Sequence, residues 1–281
     1  MMILSAPAKI NCSLRILRRR DDGFHELATR MVPLKLADKI HIEPADSRPE
    51  GSIAFTCSEP GVPADDSNLV LKAVRAVSEH IGRPLPSLRI HLEKHIPHGA
   101  GLGGGSSDAA AVLTGLNALL ESTISSASLH ALAAEIGSDV PFFLHGCACD
   151  CTGRGEIVTP VAGFRPRWPL LLIKLPFGVP TPWAYQHWQN SHPVPGVSDA
   201  PQHHEGVALF NDLERPVFEK HFVLADLKSW LRQQPEVAAA LLSGSGSTMF
   251  AVLQKKGSAS LQQRIRERIG PEVWLCETGT A

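Results

Sequence analysis

Apolar residues recur at every second position from residue 8 to residue 16. Ile10, Cys12, Leu14 and Ile16 share one face, and Lys9, Asn11 and Ser13 share the other. This is the period of a strand. It predicts a half-buried strand that displays Lys9 and Asn11 side by side. Asp21-Asp22-Gly23 supplies a turn, followed by Phe24-His25-Glu26. Leu88, Ile90 and Leu92 alternate with Arg89, His91 and Glu93, which predicts a second strand within 88–96.

The period then lengthens. From Asp108 to Leu120, Val112, Leu116, Leu119 and Leu120 share a helical face. A further helix is predicted from about Ser128 to Ile136, with Gly137 as its terminating C′ glycine. Near Pro160 the character changes. Pro169-Leu-Leu-Leu-Ile173 is a continuous apolar run and predicts a buried strand. Helices are expected over 216–233 and 258–269, and strands over 248–253 and near 272–276. Asn190 to Gly206 has no period and is rich in Pro, Ser, Gly and His, so it reads as a mobile surface loop in which His203 and His204 are solvated. A chain of 281 residues is long for one core. We expect two domains, 1–160 and 161–281.

Composition narrows the function. Lys and Arg total 27 against 28 Asp and Glu, so no broad nucleic-acid surface is expected. Six cysteines are too few for a disulfide scaffold at this length. Cys147, Cys149 and Cys151 fall on one face at strand spacing, without the C-x2-C spacing of a zinc site, and read as small buried hydrophobes. No metal ligands are assigned. The start, MMILSAPAKINC, lacks the pattern of a signal peptide, and no window reaches the ~18 apolar residues of a membrane span. A cytoplasmic protein with no membrane partner is the expectation.

The strongest chemical signal lies between the second strand and the first helix. It runs Pro97, His98, Gly99, Ala100, Gly101, Leu102, Gly103, Gly104, Gly105, Ser106 and Ser107. Without Cβ atoms the backbone can turn sharply and bring successive N–H groups to one anion. The following helix adds its positive end. Ser106 and Ser107 offer hydroxyls to phosphate oxygens or to the shell of a Mg²⁺ ion. The loop is not a Walker A motif, for no Gly-Lys-Ser/Thr follows. Nor is it a dinucleotide fingerprint, since Ser106 stands where the last glycine would.

With this loop in place, Pro7-Ala8-Lys9-Ile10-Asn11, Pro97 to Ser107 and Leu242-Ser-Gly-Ser-Gly-Ser-Thr-Met-Phe250 resemble the three motifs of the GHMP kinase superfamily. Six more segments resemble its diphosphocytidyl-methylerythritol kinases: 22–27, 101–108, 137–144, 153–156, 180–185 and 211–214. They run in order over nearly the whole chain. The resemblance implies a two-domain α+β fold, with an N-terminal domain like ribosomal protein S5 domain 2 and a ferredoxin-like C-terminal domain, and a site in the cleft between them. It implies ATP as co-substrate, with Mg²⁺ expected, and a small-molecule acceptor, a CDP-linked methylerythritol phosphorylated on its 2-hydroxyl in the route to isoprenoid precursors. A monomer or weak homodimer is expected.

By the same resemblance Asp139 accepts the hydroxyl proton and Lys9 is its partner. Phe24 and Tyr185 clamp the cytosine, His25 bonds its edge, Asn11 touches the sugar-alcohol end, Thr181 helps hold the diphosphate, and Asn68 and Lys94 contact the adenine end. Locally, Asp139 reads equally well as a helix N-cap before Pro141. Lys9 reads as a solvated strand residue, and Phe24 and Tyr185 as core. Residues 243–248, a second glycine-rich loop, either close the base of the cleft or form a tight helix-to-strand turn. Phe24 replaces the family's usual tyrosine, losing a hydroxyl worth about 1 kcal/mol. Two other readings compete. One is a homoserine or mevalonate kinase, but those substrates carry no base for the aromatic pair. The other is a nucleotide sensor without catalysis, which the joint presence of Lys9 and Asp139 opposes.

Overall fold

The computed structural model describes residues 1–45, 49–121 and 123–281. The first alternating stretch grows into a long hairpin, β1 (Met2–Arg19) and β2 (His25–Pro44), running from Met2 opposite Ile42 to Arg19 opposite His25. β3 (Ile53–Cys57), α1 (Leu69–Ile81) and β4 (Leu88–Glu93) follow. β4 pairs antiparallel with β2 and parallel with β3. α2 (Gly104–Leu119), α3 (Ser126–Ile136) and the single turn α4 (Val140–Phe143) come next. The hairpin of β5 (Cys149–Gly153) and β6 (Ile157–Pro160) pairs with β2 nearer its start. Leu113 and Leu116 of α2 and Val70 and Val74 of α1 pack on Ile40, Ile42 and Ile90 of this sheet.

The second half contributes β7 (Pro169–Lys174), α5 (Thr181–Trp188), β8 (Gln202–His204), β9 (Val207–Asn211), α6 (Glu214–Lys220), α7 (Phe222–Leu231), β10 (Val237–Leu242), β11 (Thr248–Leu253), α8 (Ala259–Ile269) and β12 (Trp274–Gly279). Its antiparallel sheet has the order β10-β11-β7-β12. With helices after β7 and β11, this is the β-α-β-β-α-β ferredoxin-like arrangement. β9 instead joins the first sheet, parallel to β1 with Ser13 opposite Phe210. That sheet therefore draws strands from both sides of residue 160.

Several expectations need correction. Within the strand over 8–16, residues 8–12 are buried on both faces, while Ser13 is half-buried and Arg15 exposed. Ala8, Ile10 and Cys12 pack against Leu170, Leu172 and Phe250 of the second sheet. Lys9 and Asn11 are each only 3% exposed, because the glycine loop roofs them. α2 starts at Gly104, inside the stretch read as loop. The helix expected over 216–233 is two helices, broken at His221 where φ is −119° and ψ is 70°. Within 190–206, Gln202 is buried: its amide donates to the Ala240 carbonyl at 2.7 Å and accepts the Ala240 N–H at 3.1 Å. That side chain pins β8 to the second sheet, and one buried polar residue leaves no periodic trace. Gly137 does cap α3, but at φ 179°, an extended conformation open to any residue. Residues 243–247 link strand to strand, not helix to strand. Of the three cysteines, Cys149 and Cys151 are buried in β5 and Cys147 precedes it half-buried.

The second half also holds a buried ion pair. Glu214 of α6 accepts from Lys228 of α7 with one oxygen and from the Leu242 N–H, at 2.9 Å, with the other. Burial raises the Glu214 carboxyl's pKa, and Lys228 opposes that rise. Lys228→Met leaves the carboxylate uncompensated, and such a loss costs about 3–5 kcal/mol. Urea unfolding should show a lowered midpoint, largely restored in the Glu214→Gln, Lys228→Met double variant. An unchanged midpoint in the single variant would show that the pair contributes nothing.

Candidate active site

A cleft of about 810 Å³ is lined by β1, the 97–105 loop, the turn around Asp139, the start of α5 and the 243–247 turn. Such concave sites between two packed units are where small ligands bind.

The glycine loop runs from Pro97 and ends as the first turn of α2, whose leading N–H groups have no helical partners. Pro97 to Ser106 line the cleft. Ala100 and Leu102 are buried and hold the loop down on the inter-sheet core. Lys9 straps it to β1: its N–H donates to the Leu102 carbonyl at 2.9 Å and its ammonium to the Gly101 carbonyl at 3.0 Å. At Gly103 a Cβ would meet Phe143 Cζ at 2.8 Å and Lys9 Cγ at 3.0 Å, so only glycine allows this approach. Ser107 departs from expectation. It is buried and faces a separate small groove beside Leu4 and Phe143, away from the cleft.

At the floor, Lys9 Nζ lies 3.6 Å from Asp139 Oδ2 and donates to Asn11 Oδ1 at 2.7 Å. Asn11 donates to Thr29 Oγ1 at 2.8 Å, and Thr29 to the Ser13 carbonyl at 2.6 Å. This chain fixes which way the Asn11 amide faces and so orients the ammonium. Asp139 does occupy the N-cap position of α4, but its side chain makes no cap bond. With that side chain 37% exposed, the carboxylate is turned to the cleft.

At one end, His25 stacks on Tyr185 with ring centres 5.5 Å apart and planes at 27°. Burial, with Arg19 nearby, holds the His25 imidazole below the usual histidine value, so it is neutral at pH 7. Burial pushes the Tyr185 hydroxyl up, and Asp139 adds to that. Phe24 is 48% exposed on the cleft wall. Thr181 Oγ1 and Ser245 Oγ are 2.9 Å apart, joining α5 to the second glycine turn.

At the other end, Asn68 and Lys94 line the cleft but are engaged. Asn68 caps α1, accepting the Val70 N–H at 2.9 Å, and its amide donates to the Pro63 carbonyl at 2.6 Å. Lys94 is buried between Asp38 and Asp108, 2.9 Å from the latter. Asp38 also accepts the N–H groups of His95 and Ile96 at 2.6 and 2.8 Å. Burial, with Lys94 opposing and Asp38 adding, pushes the Asp108 carboxyl up to about 7. The triad anchors the entry to the glycine loop from below.

The sequence alone points to no role for Asp38, Thr29 or Arg154, while Ser245 does line the cleft within the 243–248 loop. Asp38 and Lys94 stand 56 residues apart, a pairing that no local pattern reveals. Arg154 lies in the 153–156 segment that carries the resemblance, which marks the position without assigning it chemistry.

Together the site offers backbone donors for an anion, an acid–ammonium pair beside them, and flat rings at one end. The chain matches the family model "GHMP kinases N terminal domain" over residues 68–147 and "GHMP kinases C terminal" over 197–270. It is 42% identical over 274 residues to a 4-diphosphocytidyl-2-C-methyl-D-erythritol kinase of Methylacidiphilum infernorum, covering 96% of this chain and 93% of that one. It is 39% identical over 282 residues to the protein of that name from Synechococcus sp. (strain JA-3-3Ab), covering 94% and 87%. A solved 4-(cytidine 5'-diphospho)-2C-methyl-D-erythritol kinase superposes with TM-score 0.78 at 34% identity, with all of both chains covered. A homoserine kinase from Cytophaga hutchinsonii, at TM-score 0.66 and 19% identity over 99% and 95% of the chains, shares the fold.

Proposed function

The chain belongs to the 4-diphosphocytidyl-2-C-methyl-D-erythritol kinases within the GHMP kinases, and from that premise we infer that it carries out their reaction with the residues gathered in the cleft. It passes the γ-phosphoryl group of ATP to the 2-hydroxyl of 4-diphosphocytidyl-2-C-methyl-D-erythritol, on the way to isoprenoid precursors. The carrying observation is the reach of Lys9. One ammonium lies 3.6 Å from the Asp139 carboxylate and 3.0 Å from the Gly101 carbonyl. Acid, cation and phosphate loop thus meet at a point.

Asp139 accepts the proton of the attacking hydroxyl. Lys9 stabilises charge as the phosphoryl group moves, and the N-terminus of α2 with residues 97–106 cradles the triphosphate. Phosphoryl transfer asks chiefly for this positioning and charge stabilisation. Ser106 and Asp139 are hard oxygen donors lining the same cleft, the type that suits Mg²⁺. Bound there, that ion would neutralise phosphate charge. Phe24 and Tyr185 hold the cytosine ring, neutral His25 bonds its edge, Asn11 meets the sugar alcohol and Thr181 the diphosphate. Asn68 and Lys94 shape the adenine end through the segments they anchor. Residues 1–160 supply the nucleotide site and 161–281 close it. The enzyme works in the cytoplasm as a monomer or weak homodimer. Among the described residues no helix is long and apolar enough to cross a membrane.

ADP release measured with the CDP-alcohol, homoserine and mevalonate offered in turn tests this. Turnover of the CDP-alcohol alone is expected, and turnover of either other alcohol in its place would reject it. Tyr185→Ala should raise KM for the CDP-alcohol roughly tenfold or more, since stacking on one aromatic is worth about 1–3 kcal/mol. KM for ATP should hardly move. Equal rises in both constants would remove the clamp.

A further inference from the structure

Arg154 lines the cleft without a role in the chemistry above. Its guanidinium carbon lies 5.1 Å from the centre of the Phe24 ring. Its chain neighbour Gly155 borders the acid, for a Cβ there would stand 3.8 Å from Asp139 Oδ1. The residue therefore spans the interval between the stacking ring and the proton acceptor. In a base-diphosphate-alcohol held at both ends, that interval is where the diphosphate lies.

The other cations of the cleft are committed. Lys94 is buried between two carboxylates. Lys9 is taken by Asn11, the Gly101 carbonyl and Asp139. The carboxylates nearest Arg154 are committed as well. Arg20 grips Asp22 from Nε and Nη2 at 3.0 and 2.9 Å. Glu156 accepts the backbone N–H of Arg154 at 2.7 Å, and its other oxygen makes only a loose ion pair with Nε at 3.8 Å, beyond hydrogen-bond reach, so the guanidinium's donors stay open. Among the described residues, the guanidinium gives one hydrogen bond, from Nη2 to the Ala134 carbonyl at 2.7 Å. That bond fixes the fork against the last turn of α3. The remaining N–H donors of a planar guanidinium suit phosphate oxygens.

We propose that Arg154 binds the diphosphate of the acceptor substrate and makes the enzyme selective for a nucleoside diphosphate over a bare nucleoside. The proposal rests on the CDP-alcohol reading above. With Arg154 against Phe24, the residue that meets the phosphates also braces the ring beneath the base, so the two ends of the CDP moiety are read by one side chain.

The test compares cytidine and CDP as inhibitors competing with the CDP-alcohol, in the wild-type enzyme and in Arg154→Met. Methionine keeps an unbranched, polarizable chain against Phe24 and removes the charge. The preference for CDP over cytidine is expected to shrink by roughly tenfold or more, as for a lost charge-assisted contact. The cytidine constant should stay within about twofold, with KM for ATP unchanged. Arg154→Lys should keep part of the preference. An unaltered CDP-to-cytidine ratio in Arg154→Met overturns the proposal. So does an equal weakening of both inhibitors, which would make Arg154 only a brace for Phe24. A wild-type enzyme that turns over the CDP-alcohol but does not prefer CDP to cytidine also overturns it. Failure to turn over that alcohol at all points to the substrate reading itself.

Discussion

Asp139→Asn should lower kcat by roughly 10²–10⁴-fold, the span expected when a general base is lost, while ATP binds as before. The amide matches the carboxylate in size but cannot take the hydroxyl proton. The rest of the floor stays in place, because the Lys9 ammonium keeps its bonds to Asn11 Oδ1 at 2.7 Å and to the Gly101 carbonyl at 3.0 Å. The α4 turn loses nothing, since the Asp139 side chain makes no cap bond. Turnover by ADP release and ATP affinity by calorimetry, on the same preparation, separate chemistry from binding. If kcat held at the wild-type value, Asp139 could not be the base.

That expectation was half legible in the sequence. Residues 137–139 look locally like the approach to a helix, and Asp139 does stand at the N-cap position. Sequence alone could not tell whether its carboxylate turned inward to cap or outward to react. Lys9 shows the opposite limit. The alternation over 8–16 placed it correctly beside Asn11 but on a wet face. Its burial comes from a loop over 90 residues away in the chain, and period-2 patterning carries no information about what covers a face. The run Pro169–Ile173 does form the buried strand β7, since a continuous apolar run depends only on its own composition. The Asp38–Lys94–Asp108 triad was invisible for a related reason. Burying three charges together is a tertiary event, and each member alone reads as an exposed polar residue.

Contacts distant in the chain also set apart the glycines. Loop 97–107 reads as five interchangeable glycines, yet they differ sharply in what surrounds them. Gly99 has φ +63° and nothing within 4 Å of a Cβ built on it, so Gly99→Ala costs only the left-handed backbone, about 1–2 kcal/mol. Gly101 has φ +75°, and its Cβ would stand 2.1 Å from the Ser243 carbonyl oxygen and 3.0 Å from the Gly246 nitrogen. Both are backbone atoms of the 243–247 turn, so neither can swing aside as a side chain could.

Gly101→Ala should therefore be the most damaging single change in the loop. Its carbonyl accepts the Ser243 hydroxyl and the Lys9 ammonium, both at 3.0 Å. The Ala100 carbonyl next to it accepts the Thr248 N–H at 3.3 Å. To relieve the clash, the two glycine-rich segments must part by about 1 Å, and a misplacement of that size costs on the order of 10²-fold in rate. Because the ammonium follows the carbonyl, the shift also moves Lys9 relative to Asp139. We expect kcat/KM to fall at least about 10²-fold, with ATP affinity weakened as well, whereas Gly99→Ala should lose only a few-fold. Steady-state kinetics and calorimetry on both variants, with a thermal melt to confirm folding, make the comparison. Equal losses at the two positions would mean that backbone strain, and not contact between the two loops, sets the need for glycine.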